Sequence, residues 1–180
     1  MHAFSKLRPF DDETGNLLVI VDTPKGSRNK FAWDEDRKLF ELSGVLPLGA
    51  VFPYDFGFIP NTRGEDGDAL DVLILMDEPA FSGCLVECRL LGVIEAEQTE
   101  EGKTERNDRL IAVSARSRSH GHLKNLDDLN RERVDEIEHF FVSYNAAKGK
   151  KFNPVARSGP DRARELIEGS IEAGGRSPED

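Results

Sequence analysis

Along the first two thirds of the chain, apolar residues fall in short blocks cut by Gly, Pro or charge, the signature of strands joined by turns. Residues 17–22 form one block, closed by Pro24 and followed by the turn-forming Gly26, Ser27 and Asn29. Alternation resumes at 30–33, and 39–42 is a further brief strand. Pro47, Gly49, Pro53, Gly57 and Pro60 then break an aromatic stretch into an ordered loop region. Residues 71–76 are a near-continuous apolar strand, and 84–93 and 109–113 are two more. After them the period changes. Val134, Ile137, Phe141 and Tyr144 recur at helical spacing within 128–147, stopped by Gly149. Ala163, Leu166, Ile167 and Ile171 share one face of a second helix that starts at Pro160 and runs to Gly174. Strands first and helices last predict an α+β chain, mainly β.

Spread over 180 residues, this pattern predicts one domain, 1–172, with the Gly-, Ser- and charge-rich residues 173–180 as a disordered tail. With 38% hydrophobic and 32% charged residues, and eleven Phe to bury, the chain reads as water-soluble and globular. Its longest apolar runs, 17–21 and 72–76, fall far short of the roughly 18–20 residues that cross a bilayer, and residues 1–10 hold no signal-peptide core. A cytoplasmic protein with no membrane partner is expected. The formal charge of −10 has the wrong sign for holding nucleic acid, so no nucleic-acid partner is expected. An anion can still bind if the carboxylates first collect divalent cations. Cys84 and Cys88 would share a strand face about 13 Å apart, too far for a disulfide, and read as reduced thiols. The glutamates of 95–105 read as a solvated hairpin tip.

The chemistry concentrates in Glu65-Asp66-Gly67-Asp68-Ala69-Leu70-Asp71, directly before an apolar strand. Asp66, Asp68 and Asp71 repel one another, and holding them on the rim of a buried strand costs stability unless cations neutralise them. Ligands that are all oxygen suit Mg²⁺, Mn²⁺ or Ca²⁺, whereas zinc and copper would call for His or Cys. The alternative is an acidic turn in which Asp66 and Asp68 bracket Gly67. An EF-hand is excluded, because no Glu closes a twelve-residue loop.

The segment Phe52-Pro53-Tyr54-Asp55-Phe56-Gly57-Phe58-Ile59-Pro60-Asn61-Thr62, followed by the acidic run and Val72-Leu73, closely resembles the signature region of the soluble family I inorganic pyrophosphatases. Lys30-Phe31, Cys88-Arg89, Arg109-Leu110-Ile111-Ala112-Val113, His139-Phe140-Phe141 with Tyr144, and Lys148-Gly149-Lys150 fit the same family in order, over about residues 17 to 172. The resemblance implies a small closed OB-like β-barrel with two flanking C-terminal helices, and Mg²⁺-dependent hydrolysis of pyrophosphate to two phosphates, with Mn²⁺ as a substitute. It implies a homo-oligomer, a hexamer foremost. It makes Asp66 and Asp71 metal ligands, and Asp68 a ligand and the general base nearest the attacking water. Lys30, Arg109 and the Tyr144 hydroxyl become phosphate-binding groups.

Several positions depart from that pattern. Asp22 stands for a Glu, Ala32 for a Glu, Ser43 for an Arg, Phe52 and Phe56 for two Tyr, and Asn145 for the Lys that follows the tyrosine. The family's Asp-x-Lys is matched by Asn107-Asp108-Arg109. Strand alternation sends Asp108 to the face opposite Arg109, whereas a bulge would turn it inward as the remaining metal ligand. Two further readings stay open: a phosphohydrolase of the same fold acting on another diphosphate, and a non-catalytic metal- or phosphate-binding relative.

Overall fold

The structure is a computed structural model that describes Phe4 and residues 7–174, with side chains to residue 171. Residues 175–180 of the expected tail lie outside the described residues. In chain order the elements are β1 (Leu17–Thr23), β2 (Asn29–Asp34), β3 (Leu39–Val45), β4 (Asp55–Phe58), β5 (Asp71–Leu75), β6 (Leu85–Glu100), β7 (Lys103–Arg106), β8 (Arg109–Ser114), α1 (Arg131–Ala146), β9 (Lys151–Ser158) and α2 (Pro160–Gly174). A short 3₁₀ turn at Leu126–Asp128 precedes α1. Both expected helices are present.

Seven strands form one sheet along the path β1-β4-β5-β8-β6-β7, with β9 also paired to β6, while β2 and β3 make a separate hairpin. This overturns the expected small closed OB-like barrel. The sheet bends far enough for Leu17–Ile20 to pair with Leu85–Cys88 at the start of β6. It does not finish there as a closed barrel would. Strand β6 continues to Glu100, and its far half carries β7 and β9, so the sheet keeps open edges. The acidic run hid this extension. Glu95 and Glu97 alternate with the fully buried Ala96, and Glu95 is held by Arg106, Arg162 and Ser158, which lets a charged segment continue as strand. The hairpin tip is confined to Glu101 and Gly102, both at positive φ.

Strand β5 is buried on both faces, which is why it reads as a continuous apolar run. Leu73 and Leu75 join Phe52, Phe56, Ile94 and Ile111 beneath Val134, Ile137 and Phe141 of α1. Val72 and Ile74 join Val19, Ile59, Val93 and Ala112 against Ala163 and Ile167 of α2. Cys84 and Cys88 are free thiols, and burial raises the pKa of Cys88.

One glycine shows how tightly β1 and β4 approach. A Cβ on Gly57 would stand 2.3 Å from the Ile20 carbonyl oxygen, so this position has room for no side chain. Gly57→Ala is therefore expected to destabilise the fold by about 1–3 kcal/mol, read as a lower urea midpoint with an unchanged m-value. An unshifted midpoint would show that the β1–β4 contact yields without cost.

Candidate active site

Asp66, Asp68 and Asp71 sit where the loop from β4 enters β5, and hydrogen bonds close that loop at its base. The Ile59 amide donates to the Leu70 carbonyl (3.0 Å), the Thr62 hydroxyl donates to the Ile59 carbonyl (2.7 Å), and the Leu70 amide donates to the Thr62 hydroxyl (3.1 Å). Within it, the Gly64 amide donates to the Asp68 carbonyl (2.8 Å) and the Asp68 amide to Asp66 Oδ1 (3.1 Å). Gly67, at φ +87°, makes the turn between the first two carboxylates. From the β7 side, the Arg106 amide donates to Glu65 Oε2 at 3.1 Å.

Strands β5 and β8 are parallel, with Val72 opposite Leu110, so Asp71 and Arg109 stand side by side at their beginnings. Arg109 Nη1 lies 2.8 Å from Asp71 Oδ2. The guanidinium is almost wholly buried, 4.9 Å from the Phe141 ring centroid and 5.4 Å from that of Phe152, and its Nε has no partner. It also donates to Asn107 Oδ1, and the Asn107 amide group donates to Gln98 Oε1. Asp108 is engaged differently: its Oδ1 accepts from the Ala96 amide (2.9 Å) and from Arg106 (2.8 Å). Asn107 and Asp108 nevertheless both line, with Asp66 and Asp71, a cavity of about 530 Å³ against α2.

The basic side is built on β1, β2 and α1. Lys30 Nζ on β2 meets Asp22 Oδ2 on β1 at 2.7 Å and lies over the rings of Phe56 (4.3 Å) and Phe52 (5.8 Å). Phe52 and Phe56 thus lack the family hydroxyls yet wall the lysine in. Tyr144, on α1, stacks on Phe140 and meets Phe52 edge-on. Burial lifts its phenol pKa, while Lys30 and Arg109 pull it down and Asp71 and Asp22 push it up. Those influences place Tyr144 within the field of both ion pairs. Ser43 turns back to the Lys30 carbonyl, and buried Asn145 donates to the Phe141 carbonyl, so neither substitutes for the cation of the family pattern.

The acids bear the marks of crowding. The pKa of Asp66 is raised, chiefly by desolvation and then by the charges of Asp68 and Asp71. Asp22 is raised to about 6, because desolvation outweighs the attraction of Lys30, and its Oδ1 is buried without a partner. Among the described residues, no three His, Cys, Asp or Glu side chains converge as a ready-made metal cluster. The oxygen-only donors, their mutual repulsion and the unpartnered Asp22 oxygen fit a hard divalent cation.

Residue pattern alone did not reveal Thr62 or Asp55. The Asp55 carboxylate, buried at the start of β4, accepts from the Ala80 amide at 2.9 Å. Asp55 stands alone between Tyr54 and Phe56, whereas Thr62 sits between Asn61 and Arg63, where one more polar residue leaves no signal.

Carboxylates suited to a divalent cation, joined through the Asp71–Arg109 pair to cations and a phenol suited to phosphate oxygens, are a donor set of the class that hydrolases of phosphoric anhydrides need. The family model described as "Inorganic pyrophosphatase" matches residues 19–174. The chain is 34% identical over 165 residues to an inorganic pyrophosphatase from a Nostoc species, covering 92% of this chain and 95% of that one. Its fold matches the crystal structure of inorganic pyrophosphatase from Thermus thermophilus with a TM-score of 0.86 at 31% identity, covering 96% of this chain and 99% of the other. A structure from Neisseria gonorrhoeae matches with a TM-score of 0.85, also at 31% identity and over 96% and 99% of the two chains. The chain belongs to the inorganic pyrophosphatase family, whose members depend on divalent metal.

The raised pKa of Asp22 sets a sign. A carboxyl that binds its proton more tightly when folded stabilises the fold at low pH, and that contribution is lost as pH rises from the unfolded value near 3.8 to the folded value of about 6. Without added divalent metal, the wild type is expected to lose stability relative to Asp22→Asn over this interval, read by denaturant melts at several pH values. Parallel profiles would show that Asp22 ionises as readily as it does in the unfolded chain.

Proposed function

We propose that this chain, as one pyrophosphatase-like domain over 1–172, hydrolyses inorganic pyrophosphate to two phosphates with Mg²⁺, Mn²⁺ being able to substitute. The observation that carries the reading is the Asp71–Arg109 contact, which joins the acidic loop to the basic side at one place. Asp66, Asp68 and Asp71 would hold the metal, and Asp108, which lines one cavity with Asp66 and Asp71, would add a further carboxylate. A divalent cation held there would supply charge to screen the dense anion and would lower the pKa of a bound water toward neutrality.

The remaining work falls to the chain itself. Lys30, held between two aromatic rings, and Arg109, held by Asp71, offer N–H donors to phosphate oxygens without needing to reorganise. The Tyr144 hydroxyl adds a donor from α1. Asp68 is exposed and takes the proton of the attacking water. As the bridging P–O bond breaks, negative charge develops on the oxygen of the leaving phosphate, and the same cations stabilise it.

Exposed Leu42, Val45 and Leu48, on and just after the β2–β3 hairpin, leave an apolar surface that supports a homo-oligomer, a hexamer foremost. Among the described residues no helix is long and apolar enough to cross a membrane, which is compatible with a cytoplasmic site of action.

Phosphate release from pyrophosphate, with and without Mg²⁺, tests the activity. Asp68→Asn should cost about 10²–10⁴ in rate without unfolding the chain, whereas Asp66→Asn should be rescued in part by high Mg²⁺. Full activity in Asp68→Asn would remove it as the base. Asn107→Asp should tighten Mg²⁺ if this position has lost a ligand, while damage from Asp108→Asn would assign the ligand to Asp108. Mg²⁺ in millimolar amounts should raise the melting temperature, since a ligand bound only by the native state stabilises it. Sedimentation at micromolar concentration should give an oligomer, and a monomer would refute the assembly.

A further inference from the structure

The end of α1 carries a cation without an acidic partner. Lys148 Nζ lies 2.5 Å from the Tyr144 hydroxyl oxygen and 4.2 Å from the centroid of the same ring. Among the described residues no carboxylate lies within ion-pair distance of it, although this chain has 34 acidic against 24 basic residues. Its neighbour Lys150 is by contrast neutralised by Glu100 at 2.8 Å.

The backbone explains why this lysine faces the tyrosine. Helix α1 stops at Ala146, and the Lys148 and Lys150 amides both donate to the Asn145 carbonyl, at 2.9 and 3.0 Å. Gly149, at φ +75°, makes the reversal between them. Position 148 therefore lies one turn beyond Tyr144, on the same side of the chain as its hydroxyl. Asn145 is turned into the core and bound to Phe141, so the residue directly after the tyrosine presents no charge.

The chemistry of the pair is directional. An ammonium has three donors, and one is used on the Tyr144 oxygen. The phenol, accepting from Lys148, must point its own proton elsewhere, and two ammonium donors remain. Partial desolvation and then the charge of Lys150 lower the pKa of Lys148, and the charges of Asp71 and Arg109 act on it as they act on Tyr144. The two side chains thus present convergent donors to one anionic oxygen at the basic side of the site.

Resting on the pyrophosphate reading above, we propose that Lys148 binds a phosphate oxygen of the substrate together with the Tyr144 hydroxyl, supplying from one turn further on the cation that position 145 lacks. Loss of one charge-assisted hydrogen bond should then weaken phosphate binding by about tenfold to a hundredfold.

The test uses the full chain in millimolar Mg²⁺ with two readouts: steady-state hydrolysis of pyrophosphate, and calorimetric titration with inorganic phosphate alone. Lys148→Met should raise both KM and the phosphate Kd by that factor with an unchanged melting temperature, and Lys148→Arg should recover most of the loss. Lys150→Met should alter either value by no more than about twofold, as expected for a charge already paired with the exposed Glu100. Unchanged KM and Kd in Lys148→Met would overturn the proposal, as would equal losses in the two methionine variants, which would mean a diffuse field and not a contact. A wild type that fails to hydrolyse pyrophosphate would sink the substrate reading instead, and the phosphate titration would still decide whether Lys148 grips phosphate.

Discussion

The parallel register of β5 and β8 is the constraint on which the site depends. It sets Asp71 beside Arg109, an acid from the metal-suited loop and a base almost wholly removed from water. Removing one member of such a pair strands the other in a medium that cannot solvate it, at a cost of about 3–5 kcal/mol for a fully buried pair. Asp71 is partly exposed, which lowers that figure, but Arg109 Nε already lacks a partner. Position 71 therefore serves two ends. On the proposed reading a change there would alter metal affinity and free the guanidinium at once, whereas Asp66 and Asp68, which have no such pair among the described residues, would report on the acidic side alone.

Where the chain departs from the pattern that the resemblance implies, the packing shows what stands in its place. Phe52 and Phe56 lack hydroxyls, yet their rings enclose Lys30, and the attraction of an ammonium for a ring face partly replaces what a polar group would give. Asp22 in place of Glu is one methylene shorter and is drawn down to Lys30, deep enough to lose much of its solvation. The acid and the base hold each other, and neither is fully committed to a ligand.

The parts of this arrangement that could be read from the chain are those in which local chemistry and local pattern agree. Strand β5 and the two helices announced themselves by period, and the Asp66–Asp68–Asp71 spacing marked the acidic loop that enters β5. Strand β4 was hidden because Pro53 and Gly57 look like punctuation, although Gly57 is there for close contact with β1. Strand β9 was hidden by Pro154 and its charged ends. The closed barrel failed on β6, whose last residues are acidic and look like a solvated tip until Arg106 and Arg162 are seen to hold Glu95. Which of Asn107 and Asp108 meets Arg109 depended on partners, Gln98 and Ala96, on the neighbouring strand β6. No spacing rule contains that information.

Strand β6 has a consequence for how the chain comes to be folded. Its 16 residues pair with β1 over 85–88, with β8 over 88–94, with β9 over 93–99 and with β7 over 97–100. Such distant pairings demand loop closure before they return any stabilising contact, and this slows folding. On a ribosome, β6 would emerge with β1 already waiting but would keep an unpaired edge until β9 had been made. During that interval its far half is a strand edge lined with Glu95, Glu97 and Glu100, whose like charges discourage pairing with a second nascent chain. The glutamates that disguise the strand in the sequence would then also guard it during synthesis.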